Sequence, residues 1–199
     1  EQLPRGRYNL GVELFNTGDL DGARRELQRF VQEQPALLEV VPARALIGRT
    51  FAAQGQWQAA IAEFDAVVRM APTNANGRDL LVSALGNHGA ELVQAGEMDA
   101  ALASFRRAAE LAPASATAQR NLATALFDAR NADGAVEAAS RALALAPLDA
   151  GAHHVLGKAL AVKGDLARAE AELARAVELA PTEPEFRDDL ARLRTLLGH

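Results

Sequence analysis

Five prolines, Pro35, Pro72, Pro113, Pro147 and Pro181, each close an apolar helical pattern that follows a short turn punctuated by small residues. With each proline set as position 32 of a 34-residue window, the windows 4–37, 41–74, 82–115, 116–149 and 150–183 align at every small-residue position. Such a period constrains the fold more than composition does. Each window is one helix pair that cannot bury its apolar face alone, so the pairs must stack. The expectation is one elongated domain over residues 1–199, and repeat arrays of this kind usually bind rather than catalyse.

Position 8 reads Gly11, Gly48, Gly89, Ala123, Gly157, and position 20 reads Ala23, Ala60, Ala101, Ala135, Ala169. A residue without bulk in the first helix facing an alanine in the second lets two backbones approach to the short end of the roughly 8–10 Å packing range. Bulk there costs about 1–3 kcal/mol. Position 15 reads Gly18, Gly55, Gly96, Arg130, Gly164, where a left-handed residue ends the first helix. Two places later an apolar residue, Leu20, Trp57, Met98, Ala132 or Leu166, plugs the turn. In the fourth window the turn is Arg130-Asn131-Ala132, and Asn131 is the residue expected to take the left-handed conformation. Large residues recur at position 11 (Leu14, Phe51, Leu92, Leu126, Leu160) and position 24 (Leu27, Phe64, Phe105, Ala139, Leu173). Proline then prevents the second helix from continuing.

This pattern resembles the tetratricopeptide repeat, with five units over residues 4–183. The resemblance implies an all-α fold, an α-solenoid in which antiparallel helix pairs form a right-handed superhelix. Composition agrees, since no β-branched run bounded by turn residues stands out.

The spacers are irregular. Three extra residues around Leu38-Glu39-Val40 are not a whole number of helical turns and are expected to loop out. Seven extra residues, Ala75 to Leu81, are close to two turns. They predict a longer first helix in the third unit, capped near Asn74 or Asn76, with Leu80 and Leu81 joining the stripe Leu85, His88, Leu92. Gly86 and Gly89 inside that helix predict a kink or local looseness. After the fifth unit, Thr182-Glu183-Pro184-Glu185 reads as a capping box opening a terminal capping helix over 184–197. Phe186, Leu190, Leu193 and Leu197 would share its apolar face.

The formal charge of −5 argues weakly against nucleic acid as a partner. Absence of cysteine excludes disulfides and thiolate metal sites. No apolar run approaches the roughly 18–20 residues of a bilayer span, so membrane insertion is not expected, and no signal-peptide pattern is present. The chain begins at Glu1 rather than methionine, which points to a processed protein or an excised domain, periplasmic or cytoplasmic. Cationic residues other than Lys158 and Lys163 are arginine, a bias that suggests a bacterial source.

No catalytic constellation is visible: there is no phosphate loop, paired-histidine zinc motif or nucleophile elbow. The chain is read as a non-enzyme without cofactor or metal. His153 and His154 are adjacent and diverge by about 100° on a helix, so they cannot share a metal without a third ligand. His88 replaces leucine at position 7 and reads as a buried histidine with one hydrogen-bond partner.

In the family the concave surface is lined by positions 2, 5, 6, 9, 12 and 13 of each first helix. On this sequence the resemblance places Tyr8, Asn9, Arg49, Asn87, Arg120, Asn121, Thr124, Phe127, His154 and Lys158 there as candidate partner contacts. Asn9, Asn87 and Asn121 share position 6, where an amide either grips the backbone of an extended ligand or simply faces water. Some members of the family clamp the C-terminal carboxylate of chaperones with lysine, asparagine and arginine. Arg49, Asn87 and Asn121 match that set loosely, but Thr117 and Tyr8 stand where cations are wanted, so chaperone-tail recognition is not expected.

The function expected is a protein-protein interaction scaffold that binds a peptide or helical segment, partly apolar and acidic, in the groove. The alternative is an accessory repeat domain that presents substrate within a larger enzyme. Weak self-association through an uncovered first repeat is a third reading.

Overall fold

The computed structural model describes residues 4–36 and 38–198. Leu37, the last residue of the first window, lies outside the described residues. The chain pairs α1 (Pro4–Thr17) with α2 (Leu20–Glu33) and α3 (Val40–Ala53) with α4 (Trp57–Met70). It continues with α5 (Ala75–Gln94), α6 (Met98–Leu111), α7 (Ala116–Asp128), α8 (Ala132–Leu145), α9 (Ala150–Val162) and α10 (Leu166–Leu179), and closes with α11 (Pro184–Leu197). No strand occurs among the described residues. The fold is an all-α solenoid.

The turn chemistry explains the pairing. Gly18, Gly55, Gly96 and Gly164 have φ of 89°, 71°, 79° and 83°, the left-handed region that glycine enters without steric cost. In the fourth unit Arg130, not Asn131, takes this conformation, with φ 59°. Asn131 instead has φ −96° and caps α8, its side chain accepting from the Gly134 N–H at 2.9 Å. The turn requires its left-handed residue one place earlier, and the asparagine side chain is used one place later. Asp19 and Asp165 cap α2 and α10 from the same repeat position, accepting from Gly22 and Arg168 N–H. Gln56 and Glu97, with longer side chains, make no such bond.

Position 8 of the first helix packs directly against the second helix of its pair. A Cβ added to Gly157 would lie 2.7 Å from Leu173 Cγ and 3.1 Å from the Ala169 carbonyl oxygen. The neighbours are thus the large residue at position 24 as well as the main chain at position 20. In the fourth unit position 8 is Ala123 and position 24 is Ala139, both fully buried, so the larger residue on one helix coincides with a smaller one on the other.

The three-residue spacer does not loop out entire. Leu38 and Glu39 form a turn, but Val40 is already helical and is buried against Leu27, Phe30, Ala43 and Ile47. The seven-residue spacer extends α5, whose start is capped by Asn74 accepting from the Gly77 N–H at 3.0 Å. Leu81, Leu85 and Leu92 are buried in α5, while His88 is half-buried. The helix runs unbroken through Gly86 and Gly89, and a Cβ on Gly89 would lie 2.7 Å from the Phe105 ring. Its glycine serves packing.

The expected capping box does not form. The helix α11 starts at Pro184, so its N-cap is Glu183, which makes no side-chain bond, and Thr182 is left one residue outside. Glu185 is directed to Lys158 instead, at 3.4 Å.

Two compact units are present, with the boundary inside α5 between His88 and Gly89. Unit 1 is built on α1 to α4 and the first part of α5, around Leu27, Phe30, Val40, Ala43 and Ile47. In unit 2 a continuous core runs from Leu92 and Phe105 through Leu122, Leu126, Val155, Leu160 and Leu173 to Leu190 and Leu193 of α11. Among the described residues no helix is long and apolar enough to cross a membrane.

Candidate functional site

In unit 1 the groove positions of α1, α3 and α5 converge on Arg49. Its guanidinium carbon lies 4.8 Å from the centroid of the Phe15 ring, a cation–π contact. Among the described residues no carboxylate pairs with it. Two clefts of about 300 Å³ each share Arg49 and Leu80 in their walls. One is walled by Phe15, Trp57, Phe64 and Ala84, with Ser83 and Asn87 as polar groups. The other has Tyr8, Pro42, Leu46 and Val67, with Asn74 and Asn76. Tyr8 is held by Phe30, the ring centroids 5.5 Å apart. Asn9 is exposed and lines neither cleft.

Unit 2 uses most of its groove cations internally. Arg120 Nη1 donates to both carboxylate oxygens of Asp149, at 3.2 and 3.1 Å, while Asp149 also caps α9 by accepting from the Ala152 N–H at 3.0 Å. Lys158 rests its ammonium 5.0 Å from the Phe127 ring centroid and lies 3.4 Å from Glu185 and 3.8 Å from Asp189. His154 is buried, with Nε2 2.7 Å from Asp189 Oδ2 and its ring 4.3 Å from that of Phe186. Burial pushes this histidine below its ordinary pKa; the Asp189 hydrogen bond pulls the other way and Lys158 adds to the lowering. His153 points elsewhere, to Glu172 at 2.6 Å and the Pro147 carbonyl at 3.0 Å.

The open part of unit 2 is a cleft of about 340 Å³ walled by Ala90, Val93, Phe105 and Ala125, with Asn121, Thr124, Gln94 and Asp128 as its polar groups. Thr124 Oγ1 donates to the Arg120 carbonyl at 3.2 Å.

The structure thus brings Arg49 together with Asn87 in one cleft and with Tyr8 in another, and Asn121 with Thr124 in a third. Asn87 and Asn121 fall in different units. Arg120, His154 and Lys158 are engaged by carboxylates of the chain itself. These clefts offer apolar walls, amides and one unpaired cation, which is the equipment of noncovalent recognition.

The sequence model of the tetratricopeptide repeat matches residues 8–75, 87–150 and 120–184. The chain belongs to the tetratricopeptide repeat family. Solved TPR structures resemble it in fold, MamA and YrrB over nearly its whole length. A crystal structure of MamA is 23% identical, covers 92% of this chain and 94% of its own, and has a TM-score of 0.65. YrrB, described as a TPR protein with an unusual peptide-binding site, is 18% identical, with coverages of 94% and 92% and a TM-score of 0.67. The first TPR of Spaghetti, bound to the HSP90 peptide SRMEEVD, is 22% identical over 59% of this chain and 94% of its own, at a TM-score of 0.55. Among curated proteins none matches the sequence.

Two residues of the unit 1 clefts escape the repeat alignment. Trp57 is a turn plug by its position, yet its ring also walls a cleft. Leu80 sits in the seven-residue insertion, outside every window, and reaches both unit 1 clefts. The carboxylates that engage the groove cations, Asp149, Glu185 and Asp189, lie at the end of a window or beyond the last one.

Proposed function

We propose that this TPR chain is a protein-interaction scaffold whose unit 1 clefts receive an extended or helical segment of a partner protein. An apolar side chain of that segment packs against Phe15, Trp57 and Leu80, and a neighbouring carboxylate meets Arg49. The observation that carries this reading is Arg49 itself, a guanidinium fixed on Phe15 between two apolar clefts, with no carboxylate partner among the described residues, in a chain of net charge −5. A cation already stacked on an aromatic face and flanked by apolar walls has lost part of its rotamer freedom, so less is lost when a carboxylate binds. Asn87 and Tyr8 hydrogen-bond the main chain of the segment in this reading. The unit 2 cleft offers a second, separate seat, with Asn121 and Thr124 as hydrogen-bonding groups and Asp128 favouring a basic or neutral side chain.

Peptide-bound and peptide-binding TPR structures among its likenesses support this reading. Selection of a random peptide display library on the whole chain tests it. Selected sequences should pair an apolar residue with an aspartate or glutamate, and selection on Arg49→Ala should lose the acidic preference. A set of basic consensus peptides, or an unchanged consensus on Arg49→Ala, would defeat it.

A further inference from the structure

We propose that His154, Glu185 and Asp189 form a site for a divalent transition-metal ion, Zn²⁺ being the closest fit, which ties α11 to α9. One donor atom from each residue lies within 4.8 Å of the others. Glu185 and Asp189 are four residues apart on α11, so both carboxylates face the same side, and His154 reaches them from α9.

The donors suit such an ion. One imidazole nitrogen and two carboxylate oxygens, with a fourth position left to water, is a mixed set that zinc accepts at about 2.0–2.2 Å per ligand. Tetrahedral geometry at those lengths needs donors roughly 3.3–3.5 Å apart. The exposed side chain of Glu185 can close the wider gap, while His154 Nε2 and Asp189 Oδ2, now 2.7 Å apart in a hydrogen bond, separate slightly once their shared proton leaves. Binding of the ion at Nε2 releases the proton that Nε2 shares with Asp189 Oδ2 and leaves the ring neutral, as imidazole ligands must be. Arg192 holds the other Asp189 oxygen, Oδ1, at 2.8 Å and so orients Oδ2 toward His154.

Lys158 is the competitor. Its ammonium now lies by Glu185 and Asp189, where it marks the cation seat that the two carboxylates create. Its stem is flexible, and the Phe127 ring gives the ammonium a second resting place when a divalent ion takes the seat. The site therefore predicts opposite effects from two exposed or half-exposed positions, neither of which builds the core.

Isothermal titration of the whole chain with ZnCl₂ in a non-chelating buffer is the test. One equivalent should bind saturably, Glu185→Gln should weaken binding about tenfold or more, and Lys158→Met should tighten it. Circular dichroism should show all three proteins equally helical. Absence of saturable uptake, or an affinity that Glu185→Gln leaves unchanged whatever Lys158→Met does, would overturn the proposal, because the metal would then be held elsewhere.

Discussion

A Cβ placed on Gly48 would sit 2.5 Å from Cε1 of Phe64, inside the contact distance that any real pair of carbons tolerates. Gly48→Ala is therefore expected to destabilise the chain by about 1–3 kcal/mol in urea denaturation. Phe64→Ala alone leaves a cavity and costs about 3–5 kcal/mol. The double variant reproduces the Ala123 and Ala139 pairing of the fourth unit, so it should cost less than the sum of the two. Strict additivity would show that the two positions do not share space.

Arg130 carries the left-handed turn that glycine carries in the other four units. Relative to glycine, a residue with a Cβ at that φ costs roughly 1–2 kcal/mol. Arg130→Gly should raise stability by about 1 kcal/mol even though it loosens the unfolded chain. A fall in the denaturation midpoint would mean that the arginine side chain makes a contribution larger than its strain.

Helices α4 and α6 begin without a side-chain cap, at Gln56 and Glu97. Aspartate or asparagine at this repeat position caps α2, α8 and α10. Gln56→Asp and Glu97→Asp should each add about 1 kcal/mol, read as a shift in thermal midpoint, and the two should add independently.

His154 gives the pH dependence a sign. Its folded-state pKa is lowered, chiefly by burial, so the unfolded chain binds more protons between that lowered value and the ordinary histidine value of about 6.5. The stability it contributes is complete above pH 6.5 or so and is lost as the pH falls through the folded-state value. Amide exchange in α11 should quicken as the pH is lowered across this window, after correction for intrinsic exchange rates. His154→Gln should flatten that response; an unchanged response would place its origin in another group.

Much of the fold was legible in the residues because turn and packing demands fall on single positions. Glycine at position 15, small residues at position 8 and proline at position 32 each answer one local requirement, and α5 could be extended because seven residues keep an apolar stripe in phase. The left-handed place expected of Asn131 belongs to Arg130, since a tolerant residue type does not reveal which of two adjacent places the turn requires. The Thr182 to Glu185 pattern likewise missed by one residue, with Pro184 setting the helix start. Repeat positions named candidate contact residues, but not which of their charges the chain itself engages. Asp149, Glu185 and Asp189 meet Arg120, His154 and Lys158 only through packing between neighbouring helices, whereas Arg49 has no such neighbour among the described residues. That difference, invisible in any one window, singles out unit 1 as the first place to seek the partner.

Trp57 is the single tryptophan of the chain and walls the Arg49 cleft, so its emission reports directly on what enters there. Titration of the whole chain with an apolar, acidic peptide selected on it should shift Trp57 fluorescence saturably. The same titration of Arg49→Ala should show affinity weakened about fivefold or more. Binding without any change in Trp57 emission, or with equal affinity for Arg49→Ala, would contradict the account.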